Sequence, residues 1–580
     1  MAEDARATGG LSRRRILTAA AAGMAALTFD ATAAAAPAGR RVAVFGGGVA
    51  GLTAAHELIE RGYDVTVYEP VALGGRARSI PVPGTGRDGR ADLPGEHGFR
   101  FFPGCYQHVP DTMARIPFSG NADGVAGNLT QVGVTTLAFP DRPPVTVPAA
   151  PGGIADLTPE GIRRSITTTL SFLPGLPPQE LSYFADRMLM WYSMCDERRF
   201  GQWEYRSWPD VIGAQGKSAI YQDYLARAPL QLVAAARPEL TSGRAWMTAC
   251  QILLLAGTGL APDYRGGLDR VLDGPTSAAW IDPWVAYLRS RGVRFVLGAA
   301  LDRLVLDGAR ISGADLGASS VAADWFVCAM PANRLARLLG DDILAVDPQL
   351  AGVRDLVLEW MIGVQFYLRR PSALPHGHIA AMGTPWALTA IPQAPIWRGD
   401  FAAAYGDGSV ADCLSVDVSV WDAPGILFGK PARDCTKAEV AQEVWAQLTQ
   451  WLDNGTDWLR DADVHSWFIN PGVRFEPGGV VNDAPQFVNT IGAWFRKPQA
   501  RCAVENLFFC GEHVRTTFDL ASMEAANEAG RRAANAVLDA ANDDAPRARL
   551  FGAFEPPIFE PLRRVDADRY RAGLPHLLDT

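Results

Sequence analysis

An α/β fold is predicted, with a parallel sheet assembled from separated stretches of chain and an inserted α+β part that carries an antiparallel sheet. Three features of the 580-residue sequence predict it. Residues 42–79 pass from strand pattern to helix pattern and back around closely spaced glycines. Residues 506–538 place another strand, a glycine and a long helix near the other end. Between them, 119–269 and 336–489 mix aromatic-rich helical segments with alternating strand candidates.

Val42 to Phe45 is a short apolar run rich in β-branched and aromatic residues, as a buried parallel strand requires. Gly46, Gly48 and Gly51 then form G-x-G-x-x-G. The first allows a tight turn, the second lets backbone approach a pyrophosphate, and the third lets helix pack on strand. The helix pattern from Leu52 to Arg61 aims its positive dipole end at that phosphate. Gly62 ends it, Asp64 to Tyr68 form the next strand, and Glu69 stands where a carboxylate accepts hydrogen bonds from an adenosine ribose. This is a Rossmann-like dinucleotide site, and Glu69 would repel the 2′-phosphate of NADP. Gly74, Gly75, Arg76 and Ser79 add G-G-R-x-x-S, an extension that a plain NAD site does not need.

Near the other end, Leu507 to Cys510 read as a buried strand, Gly511 and Glu512 follow, and small and apolar residues recur at helical spacing to residue 538. These residues resemble the flavoprotein superfamily of amine oxidases, phytoene desaturases and hydroxysqualene dehydroxylases. The resemblance implies FAD, held by a discontinuous Rossmann-like FAD-binding domain (GR2 type) with an inserted α+β substrate domain. It implies that Glu512 binds the ribityl chain and that Met523 and Glu524 offer backbone N–H groups to the flavin pyrimidine. It also implies that WVAYLRSRGVRFVLGAA (284–300), with Val296, brings a backbone edge to the adenosine side, and that WFVCAMP returns the chain to this domain. The expected segments are FAD-binding parts at 40–118, 270–335 and 490–540, substrate parts at 119–269 and 336–489, and a surface tail from 541. In the second insertion, WMIGVQFYL and DCLSVDVSVW alternate as an antiparallel sheet with one covered face would.

Residues 1–38 read as an address. Ser12-Arg13-Arg14-Arg15-Ile16-Leu17 matches the twin-arginine pattern, a short apolar run follows, and Ala-x-Ala sites appear at 31–33 and 34–36. Export of the folded enzyme is the expectation. The net charge of -9 and the lack of a basic stripe argue against a nucleic-acid partner. No C-x-x-C occurs, and His376-x-His378 lacks clustered partners, so no metal site is expected. Cys328, Cys413 and Cys510 fall in strand patterns and read as core residues.

The amine oxidases that the chain resembles place a lysine on a substrate-domain strand, and here that position falls on Gly363 or beside it. No lysine lies between Lys217 and Lys430. Those oxidases also set an aromatic residue before Met-Glu, and here it is Ser522. The run GEHGFRFFPGCYQHVPDTM (95–113) instead resembles the desaturase and dehydroxylase side. The expected reaction is hydride transfer from a C–H bond of a lipophilic or alicyclic small molecule to FAD, leaving a double bond. The alternatives are a peroxide-forming amine or amino-acid oxidase and a non-redox isomerase or dehydroxylase. His97 is the expected proton acceptor, since free imidazole titrates near neutrality. Glu96 lies beside it, and Arg100 is a candidate for binding a carboxylate or the flavin O2. Oxygen or a membrane quinone would reoxidise the flavin, the latter with peripheral membrane contact.

Overall fold

The computed structural model describes residues 39–149, 158–257 and 269–579. The twin-arginine leader and its Ala-x-Ala sites lie outside the described residues. Arg41–Phe45 (β1) pairs in parallel with Asp64–Glu69 (β2), and β2 pairs on its other side with Arg294–Leu297 (β3). The other neighbour of β1 is Trp325–Cys328 (β4), which pairs in parallel with Leu507–Phe509 (β5). One five-stranded sheet in the order β5-β4-β1-β2-β3 thus collects strands from remote stretches. The central strands β1, β4 and β5 are buried almost throughout, as their continuous apolar runs require.

Two helices lie together on this sheet. Val49–Ile59 (α1) begins three residues earlier than its apolar pattern suggested, because Gly48 serves as its N-cap. No side chain caps it and its first turn holds no acid, so its leading N–H groups face the end of β1 unneutralised. Met523–Ala540 (α2) packs along α1. Gly530 permits the approach: a Cβ there would lie 2.5 Å from the Ala50 carbonyl oxygen and 2.7 Å from the Thr53 Cβ. Asn527 Nδ2 donates to Thr53 Oγ1 across the same seam.

The inserted stretches build a seven-stranded sheet. Its order is Val464–Ile469, Ile362–Leu368, Asp412–Val418, Leu388–Pro392, His378–Ala381, Val134–Ala138, Val145–Pro148. All neighbours are antiparallel except His378–Ala381 with Val134–Ala138. The helix Lys437–Leu452 covers it with Val440, Val444, Leu448 and Trp451. The expectation of one covered face fails, because strands 362–368 and 412–418 are buried at every position. The glycine-bearing loop around residues 95–98 seats on the opposite face, with Gly95 against Phe468 and Gly98 against Asp417.

The first insertion is mainly helical between 158 and 257, with Trp191, Tyr192, Trp203 and Trp208 in its core. The tail does more than wrap the surface: it forms Glu560–Arg571, whose Asp566 is buried, accepts the Cys195 N–H and pairs with Arg198 Nε at 2.9 Å. All eight cysteines are free. Among the described residues no group of His, Cys, Asp and Glu is placed to hold a metal, and His378 instead pairs with Asp269. No described helix is long and apolar enough to cross a membrane.

The α1–α2 seam gives a direct test. Gly530→Val forces atoms into backbone, and we expect a loss of about 1–3 kcal/mol of stability, read as an earlier thermal transition with release of flavin.

Candidate active site

The glycine turn after β1 closes over itself. Gly46 N–H donates to the Tyr68 carbonyl and Gly74 N–H to that of Gly47, both at 2.8 Å. Gly46 has φ +117°, and a Cβ there would lie 2.2 Å from the Ala329 carbonyl oxygen, so only glycine fits. A Cβ on Gly51 would lie 1.9 Å from the Gly46 oxygen, which keeps α1 tight on the turn. Gly48 and Gly75 meet backbone to backbone, Gly48 Cα lying 3.0 Å from a Cβ built on Gly75.

Glu69 has a role that the sequence did not reveal. Its Oε2 accepts the Gly47 N–H at 2.8 Å, and its Oε1 accepts those of Val71 and Ala72. The carboxylate therefore fixes the turn. Val296 lies beside it on edge strand β3, opposite Tyr68 and 40% exposed.

Two motifs far apart in sequence meet here. Arg76 pairs with Glu512, and Glu512 Oε1 accepts the Phe487 N–H at 3.1 Å. His513 is fully buried, yet neither ring nitrogen has a partner among the described residues. Burial, with Lys497 and Arg76 nearby, lowers its pKa to about 3, so the ring is neutral. An uncapped helix N-terminus, side-chain-free approach at Gly48 and Gly75, and an orphaned polar ring beside Glu512 together fit FAD. At the start of α2, Ser522 Oγ accepts the Ala525 N–H. The Glu524 carboxylate is used elsewhere, accepting the N–H groups of Gln107, His108 and Val109.

Residues 95–100 join this region to the seven-stranded sheet. Glu96 is buried, and its carboxylate accepts from Ser79 Oγ and from Thr276 N and Oγ1. Burial raises its pKa, against the pull of Arg100. His97 does not keep the proton affinity of a free imidazole. Burial first, then Arg76, Arg100 and Arg78, hold its pKa well below the usual value. Its Nδ1 takes a hydrogen bond from Asn470 Nδ2, whose own Oδ1 accepts the Gly472 N–H. Arg100 Nη2 donates to the Arg76 carbonyl at 2.5 Å, while its Nε has no partner among the described residues.

Asp417 was missed by sequence reasoning. It lies directly across from Gly363 in the antiparallel register, and its Oδ1, 2.4 Å from a Cβ built on Gly98, has no hydrogen-bond partner among the described residues. Burial raises its pKa to about 7, against Arg100 and the Phe99 N–H, with Glu96 adding to the rise. The signal was present: an aspartate stands between Val416 and Val418 in DCLSVDV, a strand buried at every position.

Residues 49–538 match the family model described as flavin containing amine oxidoreductase. No curated protein matches the chain. Among solved structures, an oxidoreductase from Methanosarcina mazei aligns at 13% identity and TM-score 0.57, over 84% of this chain and 98% of its own. Cyclohexylamine oxidase from Brevibacterium oxydans IH-35A aligns at 14% and 0.57, over 86% and 98%. Putrescine oxidase bound to putrescine aligns at 15% and 0.57, over 86% and 99%. At these identities the structures support the fold, and the family match makes FAD the cofactor.

Two variants probe the site. Glu69→Ala removes the acceptor of three turn N–H groups and the carboxylate expected to meet the ribose, and FAD affinity should fall about 10- to 100-fold by ultrafiltration at micromolar protein. Asp417 binds its proton more tightly when folded than when unfolded. Its contribution to stability is therefore most favourable below about pH 4, its ordinary range, and is lost as pH rises through about 7. Asp417→Asn should gain thermal stability over the parent progressively from pH 5 to pH 8, and a difference independent of pH would contradict this.

Proposed function

We propose that this chain, which belongs to the flavin-containing amine oxidoreductase family, takes a hydride from a C–H bond of a lipophilic or alicyclic substrate and leaves a double bond. One observation carries the reading. Gly363 donates its N–H to the His97 carbonyl at 2.5 Å, and a Cβ there would lie 2.6 Å from that oxygen and 2.7 Å from the Gly98 Cα. Backbone occupies the place where a lysine side chain would have to leave the strand. Ser522 is the second departure: it caps α2, and no aromatic ring stands at that position.

FAD, when bound, supplies the hydride acceptor. The residues of the chain divide the remaining work. The α1 N-terminus and Glu69 hold the dinucleotide, while Arg76 pairs with Glu512 beside it. Glu96 stays buried in four hydrogen-bonding contacts counting its backbone N–H to Gln365 Oε1, and so fixes the loop that carries His97 and Arg100. His97 stays neutral, which removes it as a reservoir of positive charge. Asp417, raised to about 7 beside Arg100, is the group of this region that exchanges a proton near neutrality.

An amine or amino-acid oxidase is the second reading. It is favoured by the family description and by the likeness to putrescine and cyclohexylamine oxidases. It needs a different group to position water, and oxygen as its acceptor. Export through the Ser12–Leu17 motif remains part of the proposal.

Anaerobic mixing with a substrate panel separates the readings. Bleaching of the flavin by prenyl lipids, sterols or alicyclic ketones, and not by primary amines or amino acids, is the expected result. Bleaching by amines alone would replace this reading with the second.

A further inference from the structure

The strand Asp412–Val418 leads into a hairpin loop whose tip is Ile426-Leu427-Phe428. The base of the loop is closed by an antiparallel bridge between Pro424 and Pro431, and by the Gly425 N–H, which donates to the Lys430 carbonyl at 3.0 Å. The three residues at the tip are 40%, 54% and 36% exposed. Among the described residues this is the one place where three large apolar side chains in succession are exposed. Such a run works against solubility, and it is kept where it serves contact with something else.

The loop is held in shape from below. Glu443 is wholly buried on the helix Lys437–Leu452, and its Oε1 accepts the Ile426 N–H at 2.5 Å. Its Oε2 accepts the N–H groups of Leu427 and Phe428 at 2.9 and 3.1 Å. Gln447 Nε2 donates to the same carboxylate at 2.9 Å and fixes its orientation. A Cβ on Gly425 would lie 2.3 Å from the Glu443 Cδ, so the chain passes directly over the carboxyl group. One buried carboxylate thus takes up the N–H groups of the same three residues whose side chains are exposed.

That pairing selects the occupant. A protein interface carries about one hydrogen bond per 100–200 Å², yet this tip brings neither a polar side chain nor a spare backbone N–H. A bilayer interface accepts apolar side chains and requires that the N–H groups entering with them already have partners. The cations beside the loop are engaged as well, Lys430 with Glu439 at 2.8 Å and Arg433 with Glu359 at 3.7 Å, so the contact on offer is apolar and not electrostatic. We propose that Ile426, Leu427 and Phe428 enter the interfacial layer of a lipid bilayer and hold the protein at its surface. This docking is independent of which bond the flavin oxidises, and it brings the protein to the phase in which lipophilic molecules collect.

The test is co-sedimentation of the FAD-loaded protein with phosphatidylcholine vesicles, and with vesicles that also contain phosphatidylglycerol, at low and high salt. Retention is expected on both, changing less than about twofold with salt. Leu427→Asp should lower retention about 10-fold or more. Leu562→Asp, at a 38% exposed position on the tail helix, should bind as the parent does. Flavin content and thermal transition report folding, and Phe428→Ser carries the test if Leu427→Asp does not fold. No retention on either vesicle, or equal retention of parent and Leu427→Asp, overturns the proposal. Retention on anionic vesicles alone that high salt abolishes overturns apolar insertion. A dimer in vesicle-free solution that Leu427→Asp dissolves would give the tip to a second copy of the chain and overturn it likewise.

Discussion

The strand Trp325–Cys328 is the piece on which the cofactor-binding sheet depends. It stands between β1 and β5, and Phe326, Val327 and Cys328 are wholly buried. Without it the glycine turn at residue 46 and the Gly511-Glu512 pair would belong to separate sheets, and the Arg76–Glu512 ion pair would not form. Parallel strands cannot be joined by tight hairpins, so every neighbour in this sheet requires a long connection. That requirement explains the insertions: the crossovers already had to be long, and here they carry a second sheet. The second sheet is tied back to the cofactor region, because residues 95–98, in the segment that follows β2, seat on strands 362–368 and 412–418.

Buried charge in this molecule falls into two kinds. Arg244 bridges Glu204 and Asp519, and Lys497 completes the set, so two cations face two anions with good hydrogen bonds. Glu57 is similarly surrounded by Arg61, Arg115 and Arg531. These sets are closed, and their members serve to hold elements together. The group at residues 96–100 is different. Among the described residues Arg100 has an unpartnered Nε and no carboxylate in ion-pair contact, Asp417 has an unpartnered Oδ1, and neither cancels the other by direct bonding. Perturbed and incompletely satisfied groups are the ones that chemistry uses. That contrast is stronger grounds for placing function here than any single residue identity.

The parts of this architecture that were legible in the sequence are those whose physics is local. A turn that only Gly46 and Gly51 can make, and a strand that can only be apolar, leave marks within a few residues. The parts that were not legible are contacts between remote stretches. Nothing near Asp417 announces that Gly98 will lie on it, or that Arg100 will oppose its charge. Nothing local marks His97 as buried, and its low proton affinity comes first from that burial and then from Arg76, Arg100 and Arg78, of which Arg76 and Arg78 are brought in by the turn after β2. The alternation in WMIGVQFYL suggested a face open to water, but that face is closed by a loop whose glycines allow backbone to replace side chains. The tail gave no periodic signal strong enough to place Asp566 beneath Arg198.

Fold and family leave the reaction open, since one scaffold hosts several flavin chemistries. The contact among Gly98, Gly363 and Asp417 bears on the proposed reaction through excluded volume. A lysine that reaches toward a flavin through a water needs a strand position with a free Cβ direction and room beyond it. At residue 363 that direction ends in the His97 carbonyl, and across the strand pair the polar group available is a carboxyl near its midpoint at neutral pH. A carboxyl in place of an ammonium inverts the sign of the charge the site can present and gives it a proton acceptor instead of a donor. The proposed removal of a proton beside a departing hydride needs an acceptor, and Asp417 is the group that this backbone packing leaves across from residue 363 for that role.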